Sequence, residues 1–249
     1  MRFIIMHKTN TSWEAGAVPS PELIARVGGL LGDLGRAGTL VAAEGLRPSS
    51  EGMRVRFAEG ERTAIKGPFE SGNELPAGFS ILRTKSLDDA VEWTSRQAEA
   101  LGDGEVDIRP VTEPWDIGMV PKPGDVTTRR YMVLRKATAP TEAGIAPSPT
   151  ERAKLSRVIE ETTRTGVHLA AETMRPSARG RRYKRSQGGI SYFDGPFVES
   201  KELIGGYVIV AAESLEHLDP WVRRYLEVVD AAEVDVRELE PLESEVQSR

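Results

Sequence analysis

The sequence predicts an α+β protein built from two tandem copies of one unit. Aligned with itself at an offset of 128 residues, the chain stays in register without a gap from Arg2 opposite Arg130 to Val111 opposite Leu239, and 36 of these 110 pairs are identical. Chance pairing of average compositions gives roughly one identity in 15. In addition, each copy alternates strand and helix patterns in the same order. The chain is therefore interpreted as a tandem duplication.

Each copy opens with a short apolar strand followed by a helix. The strand is "RFIIMHK" in the first copy and "RYMVLRK" in the second. In the helix "PSPELIARVGGLLGDLGRAG", Ser20 is the expected N-cap, Pro21 the first helical residue and Gly38 the stop signal. Its glycines at 28, 29 and 32 lower helix propensity, so we expect close packing there. The predicted apolar face consists of Leu23, Val27, Leu30, Leu31 and Leu34.

The rest of each copy reads as strand, hairpin, strand, helix, strand. "TLVAAEGL" is a strand, and "MRVRFAEGERTAI" alternates around Glu59-Gly60 as a hairpin does. "AGFSILRT" is a buried strand, and "EVDIRPV" closes the unit. The intervening helix has Ser86 as its cap with Asp89 three residues later. Its predicted apolar stripe is Leu87, Val91, Thr94 and Ala98.

Two βαβ crossovers around one antiparallel sheet describe a ferredoxin-like unit with an added hairpin. Helices cover one face of such a sheet, and a second copy can cover the other. We therefore expect the two units to pack sheet to sheet as an intrachain pseudo-dimeric α+β barrel. The residues expected to be buried between the sheets are Phe3, Ile5, Tyr131 and Val133.

The predicted boundaries are 1–111 for the first repeat, 112–129 for a proline-containing connector, 130–240 for the second repeat and 241–249 for a mobile tail. A connector this long is usually disordered or functional. Because Trp115, Ile117 and Met119 alternate, we expect these side chains to hold it along the surface.

Composition limits the function classes. Hydrophobic residues make up 39% and charged residues 29% of 249, which is ordinary for a soluble globular protein. The formal charge of −5 makes nucleic acid an unexpected partner. No cysteine is present, so disulfides, thiolate metal sites and a cysteine nucleophile are excluded. No secretory signal or membrane-spanning pattern is recognised, so a cytoplasmic protein without membrane contact is expected.

No cofactor or metal site is predicted. The sequence has no Walker loop, dinucleotide-binding fingerprint, Ser-His-Asp order or metal-ligand spacing. Zinc could use only the three histidines, His7, His168 and His217, with carboxylates. We read His217 as a surface residue, with Asp219 as the N-cap and Pro220 in the first turn of the last helix.

The motifs resemble a known family. "DGPFVESKEL" from Asp194, with "AAETMRPSARG" and the paired "EAG" and "PSP" segments, is similar to the YCII-related family in its branch formerly called the DGPF domain. The resemblance covers nearly the whole chain, once per half. It implies a dimeric α+β barrel, with tandem copies in some members.

The resemblance implies little about activity. Members with a histidine on the first helix and an aspartate on the second are suspected enzymes, with the histidine as acid or base. Here "PSPELIARVGGLLGDL" and "PSPTERAKLSRVIEET" contain no histidine, so this inference does not carry over. Fusions of this branch to sigma factors imply a link with transcription in some members, but no sigma-like region is present here.

The repeated Gly-Pro-Phe turn differs between the copies at the preceding residue. Glycine and proline fix the backbone at a strand exit, and we expect Phe69 and Phe197 to fill the core. Asp194 in the second copy corresponds to Lys66 in the first. It serves either to cap the turn or as a functional acid, and the two copies are not equivalent.

Strand positions supply the other candidate acid/base residues. On a regular strand, positions two apart share a face, so we expect His168 and Glu172 to line one cleft about 13 Å apart, with Lys136 or a substrate between them. Glu44 is the first copy's counterpart of Glu172, whereas Leu40 stands in place of His168. The alternative is that each glutamate pairs with an arginine.

Cationic side chains supply candidate ligand-binding positions. The arginines considered as partners of these glutamates are Arg47 and Arg175, and Arg175 is also a candidate ligand for an anionic substrate. His7 and Lys8 end the first strand, where they could bind a carboxylate or phosphate or simply be solvated.

The segment "RGRRYKR", 179–185, has five basic residues in seven and could contact phosphates or protect an exposed strand edge.

Two functions remain open from the sequence. One is a cofactor-free enzyme in which Glu172 or Asp194 is the acid/base, His168 assists, and Lys136 and Arg175 orient a small, anionic substrate during isomerisation, cyclisation, dehydration or hydrolysis. The other is a non-catalytic binding or regulatory module. The second copy is expected to carry the active site, in a monomer formed by the pseudo-dimer or in its homodimer.

Overall fold

The structure is a computed structural model that describes residues 1–70, 72–102 and 104–241. The fold is α+β with two six-stranded antiparallel sheets. The chain divides into two compact units, of which unit 1 comprises Met1–Gly45 and Thr173–Arg249 and unit 2 comprises Leu46–Glu172. Within the described part of the chain, each sheet ends in two different edge strands, so neither sheet by itself closes into a barrel.

Each sheet combines strands of both repeats. The elements of unit 1 are β1 (Arg2–Lys8), α1 (Thr11–Glu14), α2 (Pro21–Arg36), β2 (Leu40–Gly45), β9 (Gly180–Ser186), β10 (Gly189–Asp194), β11 (Ile204–Ala211), α6 (Leu215–Val228) and β12 (Glu233–Glu238). Those of unit 2 are β3 (Met53–Ala58), β4 (Glu61–Lys66), β5 (Pro76–Thr84), α3 (Leu87–Leu101), β6 (Gly104–Pro110), β7 (Arg129–Lys136), α4 (Ala139–Glu142), α5 (Pro149–Arg164) and β8 (His168–Thr173, whose last residue opens unit 1). The strand order is β10-β9-β12-β1-β11-β2 in unit 1 and β4-β3-β6-β7-β5-β8 in unit 2.

The four strands of each sheet that lie beyond the added hairpin show how the repeats are exchanged. In unit 1, β1 and β2 come from the first repeat and flank β11 from the second, while β12 pairs with β1 on its other side. This is the ferredoxin-like arrangement, extended at one edge by the β9–β10 hairpin. Unit 2 is built in the same way, with β7 and β8 from the second repeat.

The predicted helix start signals are confirmed for α2 and α3 but not for α6. Ser20 and Ser86 accept hydrogen bonds as N-caps of α2 and α3, and Pro21 is the first residue of α2. The prediction for α6 was wrong, because this helix begins at Leu215 with Ser214 as its cap, and Pro220 lies inside it. The Ser214 hydroxyl accepts a hydrogen bond from the backbone N–H of His217, so the helix is capped before Asp219 is reached.

The expectation of close packing at the α2 glycines was also wrong. A Cβ at residue 28 or 29 would meet no heavy atom within 4 Å outside the helix itself, and one at residue 32 would meet only the Arg36 side chain. These glycines lie on the exposed side of α2, whereas Leu30 and Leu34 are its buried residues.

The helices cover one face of each sheet. In unit 1, Phe3 and Ile5 pack in one cluster with Leu34 of α2 and Val222 of α6. In unit 2, the corresponding cluster joins Tyr131 and Val133 to Ala90 and Val91 of α3. These four strand residues are buried as predicted, but against the helices and not between sheets, because alternate strand residues face opposite ways and both sets are apolar here. Sheet-to-sheet packing of the units stays a prediction.

The connector is held by charged residues. Glu113 is buried and its carboxylate pairs with Arg130 at 2.8 Å, and Asp116 pairs with Arg129. Met119, predicted to anchor this segment, is 58% exposed. Residues 242–249 of the predicted tail lie outside the described residues.

Candidate functional site

A row of cross-strand neighbours crosses the unit 1 sheet on the face opposite the helices. Residues directly opposite each other in antiparallel strands point to the same face. Their chain neighbours Ile5, Val208 and Val236 belong to the helix-side cluster, so this row lies on the other face. Across β10, β9, β12, β1, β11 and β2, the row reads Phe193, Arg182, Asp235, Met6, Tyr207 and Glu44.

Asp235 is the centre of a buried ion cluster in unit 1. Its carboxylate accepts hydrogen bonds from Lys8 at 2.7 Å and from two nitrogens of Arg182 at 2.5 and 2.9 Å. Lys8 also donates to Ser200 at 2.8 Å, and Arg182 lies 3.2 Å from Glu233. Although burial alone would raise the pKa of the Asp235 carboxyl, Lys8 and Arg182 hold it below its usual value.

Unit 2 has the corresponding cluster around Asp107. Arg54 donates to Asp107 at 2.7 and 2.9 Å, and Lys136 lies 2.8 Å from the same carboxylate. Glu74 is an additional member, which contacts both Lys136 and Arg54. Glu105 lies 3.6 Å from Arg54.

The two clusters differ by one carboxylate. Glu74 is 1% exposed in unit 2, whereas its counterpart Glu202 is exposed in unit 1, where Lys8 meets the neutral hydroxyl of Ser200. In unit 2, burial raises the pKa of the Asp107 carboxyl, and this effect exceeds the opposing effects of Arg54 and Arg109. Asp107 of unit 2 is thus easier to protonate than an ordinary aspartate.

The Gly-Pro-Phe turns hold the cluster arginines in place. The Arg54 guanidinium lies 4.7 Å from the ring centre of Phe69, and Arg182 lies 4.6 Å from that of Phe197. Only glycine fits before each proline. A Cβ at residue 67 would lie 1.8 Å from the Ser49 carbonyl oxygen, and one at residue 195 would lie 1.8 Å from that of Ser177. The backbone role predicted for the glycines is confirmed, and each phenylalanine supports an arginine.

The strand-end residues His7 and Lys8 lie on opposite faces of the sheet. Lys8 belongs to the Asp235 cluster, whereas the Nδ1 atom of His7 lies 2.7 Å from the hydroxyl of Tyr225 in α6. Burial raises the pKa of this tyrosine, which keeps its hydroxyl neutral. The two residues therefore do not form one anion site in unit 1.

The acid/base residues named from the sequence belong to different units. Glu172, His168 and Lys136 are in unit 2, whereas Asp194 is in unit 1, where its carboxylate pairs with Arg181 at 2.8 Å. Asp194 is a largely exposed side chain and lies at the end of β10.

His168 has a buried Nδ1 atom without a hydrogen-bond partner among the described residues, and burial lowers the pKa of its imidazole. In β2, the counterpart of β8, a register shift puts Leu40 on the helix side, while Glu44 lies in the row on the other face. Positions four apart do not share a face in that strand. A joint role of His168 and Glu172 stays a prediction.

The predicted ligand-binding arginines have carboxylate partners. Arg47 pairs with Glu51 at 2.5 Å, and Arg175 lies 3.5 Å from Glu238 and 3.3 Å from Glu240. Glu44 lies at the end of its row, three strand spacings or about 14 Å from Asp235.

The basic hairpin of residues 179–185 is largely neutralised by nearby acids. Arg179 pairs with Glu238, Arg181 with Asp194 and Glu216, Arg182 with Asp235, Lys184 with Glu233, and Arg185 with Asp230. A shallow depression of about 330 Å³ beside it is lined by Arg179, Arg181, Asp194, Glu216 and Glu238 among others. Paired cations attract phosphates weakly, so this arrangement does not favour nucleic acid.

Within residues 1–70, 72–102 and 104–241, no group of three or more His, Asp or Glu side chains could hold a metal ion. In the same part of the chain, no helix is long and apolar enough to cross a membrane.

The sequence interpretation missed the cluster residues Arg54, Asp107 and Glu74 and their counterparts Arg182 and Asp235. A signal was present, because Arg54 and Asp107 are charged, lie inside strands and recur in the other copy. Charged residues kept at the same strand position in both repeats point to a shared ion pair.

Comparison with known proteins identifies the same two repeats. The family model for the YCII-related domain matches residues 1–115 and again residues 130–241. A search of curated proteins finds no match to the chain.

Proposed function

Because the chain belongs to the YCII-related family, with one domain in each of its two copies, we propose that it binds a small, anionic molecule and catalyses cofactor-free proton transfer in unit 2. The segment "DGPFVESKEL" supports a place in the DGPF branch of that family. The reaction class is isomerisation, cyclisation, dehydration or hydrolysis, each of which needs a positioned acid and base.

The observation that carries this proposal is the extra carboxylate in unit 2. Around equivalent lysine and arginine pairs, unit 2 buries both Asp107 and Glu74, whereas unit 1 buries Asp235 alone. The pKa of Asp107 is raised, whereas that of Asp235 is lowered. A raised carboxyl pKa favours a role as a general acid.

Glu172 is the proposed base. It is partly exposed in the edge strand β8, two strand spacings from β7, which ends in Lys136. Two spacings put the two strands about 10 Å apart, a distance that a small molecule can bridge. The Asp107–Glu74 pair would supply a proton, and Lys136, which contacts both carboxylates, would hold the anionic group once one of them is protonated. Roles for His168 in the same unit, and for Asp194 and Arg175 in unit 1, are secondary proposals.

The experiment is a proton-exchange measurement. The purified protein is incubated in D₂O with a panel of small keto acids and hydroxy acids, and loss of α- or β-proton signals is followed by ¹H NMR. We expect catalysed exchange for at least one compound. Glu172→Gln should lower its rate by about 10²- to 10⁴-fold, because a positioned base contributes that much.

Glu44→Gln is the matched control, because it makes the same change at the equivalent position of the other repeat. It should keep the exchange rate of the unsubstituted protein. Equal losses in the two variants, or exchange that does not depend on Glu172, would contradict the assignment of the site to unit 2.

A second candidate function is a non-catalytic binding or regulatory module, with a link to transcription in keeping with the sigma-factor fusions of this branch. It is favoured by unit 1, where Lys8 and Arg182 are fully engaged with Asp235 and the pKa of that carboxyl is lowered. Saturable binding of panel compounds without any proton exchange would support this module and exclude the enzyme for the compounds tested.

A further inference from the structure

The helix-side face of unit 1 contains a self-sufficient polar pair. His7 in β1 and Tyr225 in α6 lie 2.7 Å apart, Nδ1 to hydroxyl oxygen, inside an otherwise apolar layer. The Nδ1 atom of His7 and the Tyr225 hydroxyl thus satisfy each other, as polar groups in an apolar layer require. His7 lies directly opposite Gly206 of β11 and Val234 of β12.

The same two positions exist in unit 2 in the same register. Arg135 of β7 lies opposite Gly78 of β5 and Val106 of β6, and these are the repeat counterparts of the two neighbours of His7. Gln97 of α3 is the counterpart of Tyr225, since both lie eleven residues into helices that begin at Leu87 and Leu215. Arg135 and Gln97 therefore project toward one spot between β7 and α3.

In unit 2 these two side chains do not form such a pair. Among the side chains that the structure describes, which excludes those of 71, 99–101, 103 and 242–249, the half-buried Arg135 guanidinium has no hydrogen bond or ion pair, and the buried Nε2 of Gln97 has no hydrogen-bond partner. Burial lowers the pKa of Arg135. A buried donor without an acceptor, such as Gln97 Nε2, is destabilising, and a partly desolvated arginine gains from a negatively charged partner.

One residue disfavours the histidine–tyrosine arrangement of unit 1 in unit 2. The His7 ring packs on Gly205 so closely that a Cβ there would lie 2.8 Å from its Nε2 atom. The counterpart of Gly205 in unit 2 is Ala77, which has such a Cβ. A histidine at position 135, oriented like His7, would therefore need a shift of the ring or of the strand.

We propose that Arg135 and Gln97 form a binding site for a small oxyanion, a carboxylate or a phosphate, between β7 and α3 of unit 2. A guanidinium presents a planar fork of donors that matches two oxygens of such a group, and the amide of Gln97 supplies a further donor. The anion takes the place of the internal pair of unit 1.

This site is separate from the proposed proton-transfer site. Arg135 and Lys136 are adjacent in β7 and point to opposite faces, Lys136 to the Asp107 cluster and Arg135 to the helix side. It would therefore hold an effector or a structural anion, and either proposal can fail without the other.

The test is a titration of the full chain with sodium phosphate and, separately, sodium acetate, followed by ¹H–¹⁵N NMR at constant ionic strength. We expect saturable shifts of the Gln97 side-chain amide and the Arg135 Nε–H with at least one anion. Arg135→Gln should weaken this binding by about 10- to 150-fold, the factor expected for a lost charged hydrogen bond.

The triple variant Ala77→Gly/Gln97→Tyr/Arg135→His transplants the unit 1 pair into unit 2 and keeps the test decisive if Arg135→Gln does not fold. Backbone amides of β7 and α3 should then show no saturable response to either anion. The proposal is overturned if the unsubstituted protein shows no saturable shift at these residues. It is equally overturned if the midpoint is unchanged in the variants, which would mean an adventitious ion only.

Discussion

Asp235→Asn should destabilise unit 1 much more than Asp107→Asn destabilises unit 2. The Asp235 side chain is 1% exposed, and it is the fully buried carboxylate that Lys8 and Arg182 share. An amide in its place leaves two buried cations without that anion, and breaking a buried pair in this way costs about 3–5 kcal/mol.

The equivalent change in unit 2 should cost less. Asp107→Asn leaves Glu74 in contact with both Arg54 and Lys136. The raised pKa of Asp107 also shows that the fold disfavours its ionised form. We expect the free energy of unfolding to fall by about 1–2 kcal/mol, the scale of the hydrogen bonds that the amide cannot make.

Native-state hydrogen exchange with mass spectrometry reads the two units separately, which a single unfolding curve of a chain with two units does not. Peptides covering β12 should exchange faster by roughly two to three and a half orders of magnitude in Asp235→Asn, at about 1.4 kcal/mol per tenfold change. Peptides covering β6 should change by about tenfold in Asp107→Asn. Equal effects in the two units, or a near-neutral Asp235→Asn, would refute the conclusion that the buried cations depend on Asp235 in unit 1 but have Glu74 as a second partner in unit 2.

Three further predictions follow from single contacts. Gly28→Ala should raise the free energy of unfolding by about 0.5–1 kcal/mol because the added methyl meets nothing, whereas Gly67→Ala should be strongly destabilising through its clash with Ser49; chemical denaturation compares the two. Glu113→Gln should cost about 1–2 kcal/mol and make the connector more sensitive to limited proteolysis, and unchanged cleavage would show that other contacts hold it. Because the folded pKa of Asp107 is raised, unit 2 should lose stability as the pH rises from its unfolded pKa of about 3.9 through the folded value, and hydrogen exchange of β6 in Asp107→Asn should lack this slope.

The local elements and the duplication follow from the sequence alone. The strand patterns, the Ser20 and Ser86 caps and the turn at Glu59-Gly60 are properties of short segments, and the structure confirms them. The register of the repeat also identifies Arg135 as the counterpart of His7 before any coordinates are known.

Only the tertiary structure decided which partners these segments meet. A strand such as β1 carries apolar residues on both faces and fits the second repeat's β11 as well as its own repeat's β5. Hydrophobic periodicity therefore does not reveal the exchange of strands between the repeats. The burial of Glu74 and the exposure of its counterpart Glu202 likewise depend on how the loop after the Gly-Pro-Phe turn folds over the sheet. Pairing between residues far apart in the chain is a long-range property, and for that reason the unequal clusters and the unsatisfied Arg135 could not be derived from the sequence alone.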